Sequence, residues 1–258
     1  MQLNKLIRYT QAALIAVAGL SLSGPVAAAL VHDYELDGTY ADTLGGVDLT
    51  PNGGSLTASR YVFDINQGLS VQQDQVLSTK DNYSIEIVFQ FSNVTGYNKI
   101  LDFRNLRADN GLYDHSGNYV FYVAGDVSGT AGGFSPNTDV HIVLTRDGTN
   151  DLVVGYLNGA QYFSFTDSGD DAAFRPPVSR PSDPAIITFF QNDGIGAEAS
   201  AGTADCIRLY DAPLSAAAVA ALPSGCLATA PAQTPEPGSL ALLGLGLAGF
   251  GWARRRRT

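Results

Sequence analysis

VHIVLTRDGTNDLVVGYLNGAQYFSF, residues Val140–Phe165, reads as strands separated by turns. Val, Ile, Tyr and Phe fit a pleated, half-buried surface. Asp147-Gly148 marks one turn. Asn158-Gly159 marks a second, and it is the stronger signal: a two-residue type I′ loop needs positive φ at both positions, which Asn and Gly tolerate. The same period of two extends outward from this stretch. In YSIEIVFQF, Tyr83–Phe91, one face carries Ile85, Ile87, Phe89 and Phe91, and the other carries Ser84, Glu86, Val88 and Gln90. KILDF (Lys99–Phe103), NYVFYVAG (Asn118–Gly125), AIITFFQN (Ala185–Asn192) and DCIRLYD (Asp205–Asp211) continue it. LSAAAVAAL, Leu214–Leu222, alone reads as a helix, starting behind Pro213 with Ser215 as its cap. Many strands, one core and one terminal helix predict an all-β, two-sheet antiparallel sandwich.

Both ends of the chain read as routing segments. Lys5 and Arg8 precede an apolar run, Ala12–Leu22, and GPVAAAL offers cleavage after Ala28 or Ala29. This predicts a signal helix in a signal peptide, residues 1–29. At the other end stands TPEPGSLALLGLGLAGFGWARRRRT. Its uncharged run, residues 239–253, would make a helix roughly 22 Å long against a hydrocarbon core of about 30 Å. Arg254, Arg255, Arg256 and Arg257 would stop it on the cytoplasmic side. Gly244-x-Gly246-x-x-Gly249 matches a dinucleotide fingerprint only as a string, because no strand precedes it and the chain stops soon after. Pro235-Glu236-Pro237, the apolar segment and the arginine cluster together resemble a PEP-CTERM sorting signal. The resemblance implies export, transient anchoring in the inner membrane by a transmembrane sorting helix, and processing by an exosortase. It also implies a Gram-negative, exopolysaccharide-producing source and a final place at the cell surface or outside the cell. The segment 229–258 is thus linker plus sorting signal, and the working domain is 30–228.

The 258-residue chain has 15 Lys and Arg against 25 Asp and Glu. Removing both ends leaves nine basic and 24 acidic residues, about −15 net. Such a surface repels nucleic acid and anionic lipid and favours solubility or divalent cations. The two cysteines, Cys206 and Cys226, both fall in the exported part, where a disulfide is the default.

The central stretch is similar to the hairpin of laminin-G-like, concanavalin-A-like jelly rolls. YVFDINQGLSV (Tyr61–Val71) and GTADCIRLYDAPLSAAAVAAL (Gly202–Leu222) resemble an early strand pair and the closing strand and helix, with Asp205, Arg208, Tyr210 and Leu214 at matching places. Val140 departs from the tryptophan that family often has. The resemblance implies a sugar-binding sheet face, for which Glu86, Gln90, Tyr119 and Tyr122 are the candidates. It also implies one structural calcium ion held by Asp37, the Gly68 region and Asp205. Retaining glucanases of this fold carry E-x-D-x-x-E, since two carboxylates about 5 Å apart act as nucleophile and acid/base. The nearest string begins Glu35-Leu36-Asp37 and lacks the second glutamate, and neither G-x-S-x-G nor H-E-x-x-H occurs. The expectation is a non-catalytic domain that binds extracellular polysaccharide or glycoprotein. A structural matrix component without a small ligand is the second reading, and a glycoside hydrolase the third.

Overall fold

In the computed structural model of the chain, the described residues are 28–123, 126–128, 132–176, 178–193, 198–223 and 225. Residues 1–27 of the expected signal peptide, the segment 229–258 with the sorting signal, and Cys226 lie outside them. Fifteen strands form: β1 (Leu30–Tyr34), β2 (Thr50–Asn52), β3 (Ser55–Leu56), β4 (Tyr61–Phe63), β5 (Gly68–Gln72), β6 (Asn82–Phe91), β7 (Tyr97–Asp102), β8 (Gly111–His115), β9 (Asn118–Tyr122), β10 (Asp126–Ser128), β11 (Val140–Asp147), β12 (Leu152–Leu157), β13 (Ala160–Thr166), β14 (Ile186–Phe189) and β15 (Gly202–Tyr210). Two short helices join them, α1 (Gln73–Val76) and α2 (Ala216–Ala221). The sequence reading anticipated only the second.

The strands make two antiparallel sheets packed as a sandwich. The first runs β13-β12-β11-β6-β15-β4-β3, with β1 also on β15; the second runs β10-β9-β8-β7-β14-β5-β2. Along one edge β15 pairs β6, and along the other it pairs β4 and then β1, so the first and last strands lie side by side. The β12–β13 hairpin closes as expected: Asn158 has φ 49° and Gly159 φ 81°, both in the left-handed region a type I′ loop requires. Asp147-Gly148 opens a longer loop, in which Asp147 Oδ1 accepts the N–H groups of Thr149 and Asn150.

The core lies between the sheets. Ile85, Ile87, Phe89, Phe91, Ile142 and Leu144 of the first meet Leu101, Leu112, Phe121, Ile187 and Phe189 of the second. The outer face of the first sheet is also covered. Ser215 caps α2 by accepting the Ala218 N–H, and α2 brings Val219 down with Leu214 onto Val143, Val154, Tyr156 and Tyr210. Both faces of β6 are thus buried along most of its length. Buried charges are held by partners. Arg146, fully buried, donates to Asp167 (2.9 Å), Asp170 (2.7 Å) and the Asp81 carbonyl (2.9 Å), which pins the loop after β13 to the end of β11.

Candidate functional site

The structure scatters the four ligand candidates of the sequence. Glu86 and Gln90 do share one face of β6, but Glu86 is completely buried there among His141, Arg208 and Tyr210. Its carboxylate accepts from Tyr210 Oη (2.6 Å) and bonds His141 Nε2 (2.9 Å), with Arg208 Nη1 at 3.6 Å. Burial raises the carboxyl pKa, but those hydrogen bonds and the charges of His141 and Arg208 outweigh it and hold Glu86 below the usual range. Arg208 also bonds Asp33 and Glu35, each at 2.9 Å. Glu86, Arg208, His141 and Tyr210 are all buried, so this network is out of reach of a glycan. Gln90, half-buried, donates to Thr203 Oγ1. Tyr119 lies fully buried between the sheets against Phe134, Tyr162 and Phe163. Tyr122 stands on the outer face of the second sheet. A spacing of three puts Tyr119 and Tyr122 on opposite faces of one strand, so they cannot line a single site.

Around Tyr122 the second sheet builds a cleft of about 80 Å³, lined by Tyr97, Asp109, Tyr113, Tyr122 and Glu198. It arises from alternation on three neighbouring strands. Tyr97 of β7 pairs with His115 of β8, Lys99 with Tyr113, and Gly111 with Tyr122 of β9, which puts these side chains on one face. Tyr97 stacks on His115 (centroids 3.7 Å, interplanar 13°) and meets Tyr113 and Tyr122 edge-on at 5.6 and 5.9 Å. Lys99 Nζ sits 4.5 Å from the centre of the Tyr113 ring and 3.4 Å from Asp102, with both charges fully buried.

One edge of the cleft is acidic. The Glu198 carbonyl accepts the Lys99 N–H (2.9 Å), fastening the segment before β15 to the β7 bulge between Lys99 and Leu101. Tyr113 Oη donates to the Asp109 carbonyl (3.1 Å) and reaches Glu198 Oε2 (3.5 Å), and Asn192 Nδ2 approaches the same oxygen at 3.5 Å. Asn192 is nearly fully buried, and its Oδ1 has no hydrogen-bond partner among the described residues. Burial raises the pKa of Glu198, and the charges of Asp109 and Asp193 add to the shift. Chemically, the arrangement offers ring faces and edges with carboxylate acceptors beside them, a combination that suits a polyhydroxylated or cationic ligand.

The calcium candidates do not converge. Asp37 is exposed beyond the end of β1, and Asp205 lies 3.4 Å from Arg60, which also holds Asp139 through a two-pronged contact of 2.7 and 2.6 Å. The Gly68 carbonyl accepts Tyr61 Oη at 3.0 Å. Gly68 is glycine for packing, since a Cβ there would stand 2.0 Å from the Phe189 carbonyl oxygen. Among the described residues, no group of three or more His, Cys, Asp or Glu side chains is placed to hold a metal ion. Cys206 is fully buried on the α2 side of β15, and no free cysteine occurs among the described residues. Tyr97, Asp109, Tyr113 and Glu198 went unnoticed in the sequence. The alternation Gly111, Tyr113, His115 was legible there, but the loops that bring Asp109 and Glu198 to it were not.

Residues 233–257 match the PEP-CTERM protein-sorting motif, which marks the chain for export and transient membrane anchoring. No curated protein matches the chain by sequence. Among solved structures it is similar to domain 4 of AbnA, an extracellular arabinanase from Geobacillus stearothermophilus, in complex with arabinotriose. There the TM-score is 0.52 at 14% identity, covering 76% of this chain and 98% of that one. It is also similar to a mutant Trypanosoma rangeli sialidase that displays trans-sialidase activity, with TM-score 0.55, 15% identity, and 74% of this chain against 32% of that one. The binding domain of botulinum neurotoxin serotype D is a third, with TM-score 0.52, 12% identity, and 74% against 50%. The chain thus spans about a third of the sialidase and half of the neurotoxin domain. At these identities the likeness establishes the shared β-sandwich fold.

Proposed function

We propose that this is an exported surface or matrix protein whose sandwich binds carbohydrate, free or on a glycoprotein, at the tyrosine cleft of the second sheet. In this reading residues 1–29 are a signal peptide removed on export, 30–228 are the binding domain and 229–258 are linker and sorting signal. An exosortase acts on that signal before the protein reaches the surface. The observation that carries the reading is the cleft itself: three tyrosines around one opening, with Asp109 and Glu198 at its edge. The sorting motif supports it, as does a sandwich shared with a domain described in complex with arabinotriose. Binding through one shallow face would be weak, micromolar to millimolar or roughly −8 to −4 kcal/mol, so multivalency at a crowded surface would strengthen it.

The test is a glycan array probed with the exported protein and with its Tyr122→Ala variant. Loss of one ring edge from the cleft is expected to weaken binding about three- to tenfold, with little change in melting temperature, since Tyr122 is half-buried. Equal binding by the two proteins removes the cleft as the site. Two acids in one cleft, one of them with a raised pKa, also favour a glycoside hydrolase as a second reading. Reducing sugar released by the wild type but not by Glu198→Gln would establish it.

A further inference from the structure

Resting on the reading of the tyrosine cleft as a glycan site, we infer that its ligand is a cationic sugar, a glycan bearing free amines, held with its ammonium between Asp109 and Glu198. Among the described residues the cleft's own lining supplies two carboxylates and no Lys, Arg or His. Lys99, whose ammonium lies over the Tyr113 ring, is fully buried and already faces Asp102. Asp193, exposed, adds a further negative field at Tyr113 and Glu198. The ring geometry fits the same ligand. Tyrosine faces attract a cation that approaches within about 6 Å of their centres, a contact the site already makes with Lys99 from within.

Asn192 Nδ2 lies against the same Glu198 carboxylate, at 3.5 Å. Glu198, raised by burial and by neighbouring acids, is a carboxylate whose charged form gains from an added cation. Uronates, sulfated sugars and sialylated chains, being anionic, are excluded by the same field.

The experiment compares binding of the exported protein to a chitosan oligomer and to its fully N-acetylated counterpart, which differ in the free amine, with an oligouronate as the anionic arm. Preference for the chitosan oligomer over the acetylated one is expected, with no binding of the uronate. Because the whole protein is acidic, Glu198→Gln is set against Asp74→Asn, which removes an equal charge from the exposed face of α1. Glu198→Gln is expected to weaken chitosan binding at least about threefold, leaving the acetylated oligomer unaffected, while Asp74→Asn changes neither. Equal or tighter binding of the acetylated oligomer, or equal effects of the two substitutions, overturns the cationic assignment and leaves glycan binding standing. Failure of every glycan to bind, with Tyr122→Ala silent, overturns the underlying reading as well.

Discussion

At the scale of single residues, two carboxylates show how far environment outweighs identity. Glu86 sits on a strand where alternation aims it outward, yet it is buried beside His141, Tyr210 and Arg208. Glu86→Ala would take from the Tyr210 hydroxyl and the His141 ring their shared carboxylate in a dry site, so a loss of about 3–5 kcal/mol is expected. A solvent-facing strand residue would cost almost nothing on substitution, and an unchanged urea midpoint would contradict the structure. The depressed pKa of Glu86 means that its contribution is present above the ordinary glutamate range and is lost as pH falls through its folded value. Asp114 behaves oppositely. Buried beside Asn98 and the Gly117 N–H, it has its pKa pushed up to about 6, chiefly by burial. A raised acid makes the folded state bind the extra proton, so stability falls as pH rises from about 4 towards about 6. A carboxyl-carbon NMR titration of Asp114 should show a midpoint near 6, and a midpoint at or below the ordinary aspartate value would refute the burial argument.

At the scale of elements, α2 decides what the first sheet presents. A helix of this length is marginal alone. Its Ser215 cap and the packing of Val219 and Leu214 hold it over β11, β12 and β15. The disulfide expected between Cys206 and Cys226 would tie β15 to the segment that follows α2, fixing the helix from its far side. Closing that loop of about 20 residues would add about 3 kcal/mol. Alkylation of the exported protein under denaturing conditions, followed by intact mass, should show no label without reductant and two labels with it. Two labels without reductant would leave α2 held by packing alone. With the bond formed, the Cys206→Ser variant should melt lower by roughly 6–12 °C.

At the scale of the whole molecule, charge and routing agree. Both ends suit passage across a membrane, and between them lies a strongly acidic domain whose described helices are too short to span one. The sorting motif at 233–257 predicts processing near Pro235-Glu236-Pro237. Exported material from the native host should have an intact mass lacking everything beyond about Glu236. Retention of Arg254–Arg257 in that material would defeat the prediction.

The fold class, the type I′ hairpin at Asn158-Gly159, the Ser215-capped helix and the sorting signal were all settled by sequence alone. Each rests on local physics: the period of two, positive φ at a turn, an N-cap, and hydropathy beside an arginine run. Local pattern says which side chains share a face of one strand, as it does for Glu86 with Gln90 and against Tyr119 with Tyr122. It does not say what lies over that face. Only the tertiary structure packed α2 on the outer face of the first sheet and buried Glu86 among His141, Arg208 and Tyr210. Only the folding of the Asp109 loop and of the distant Glu198 segment against the β7-β8-β9 meander assembled a cleft from residues about 100 positions apart. Those contacts depend on chain topology, and no spacing within a single strand encodes them.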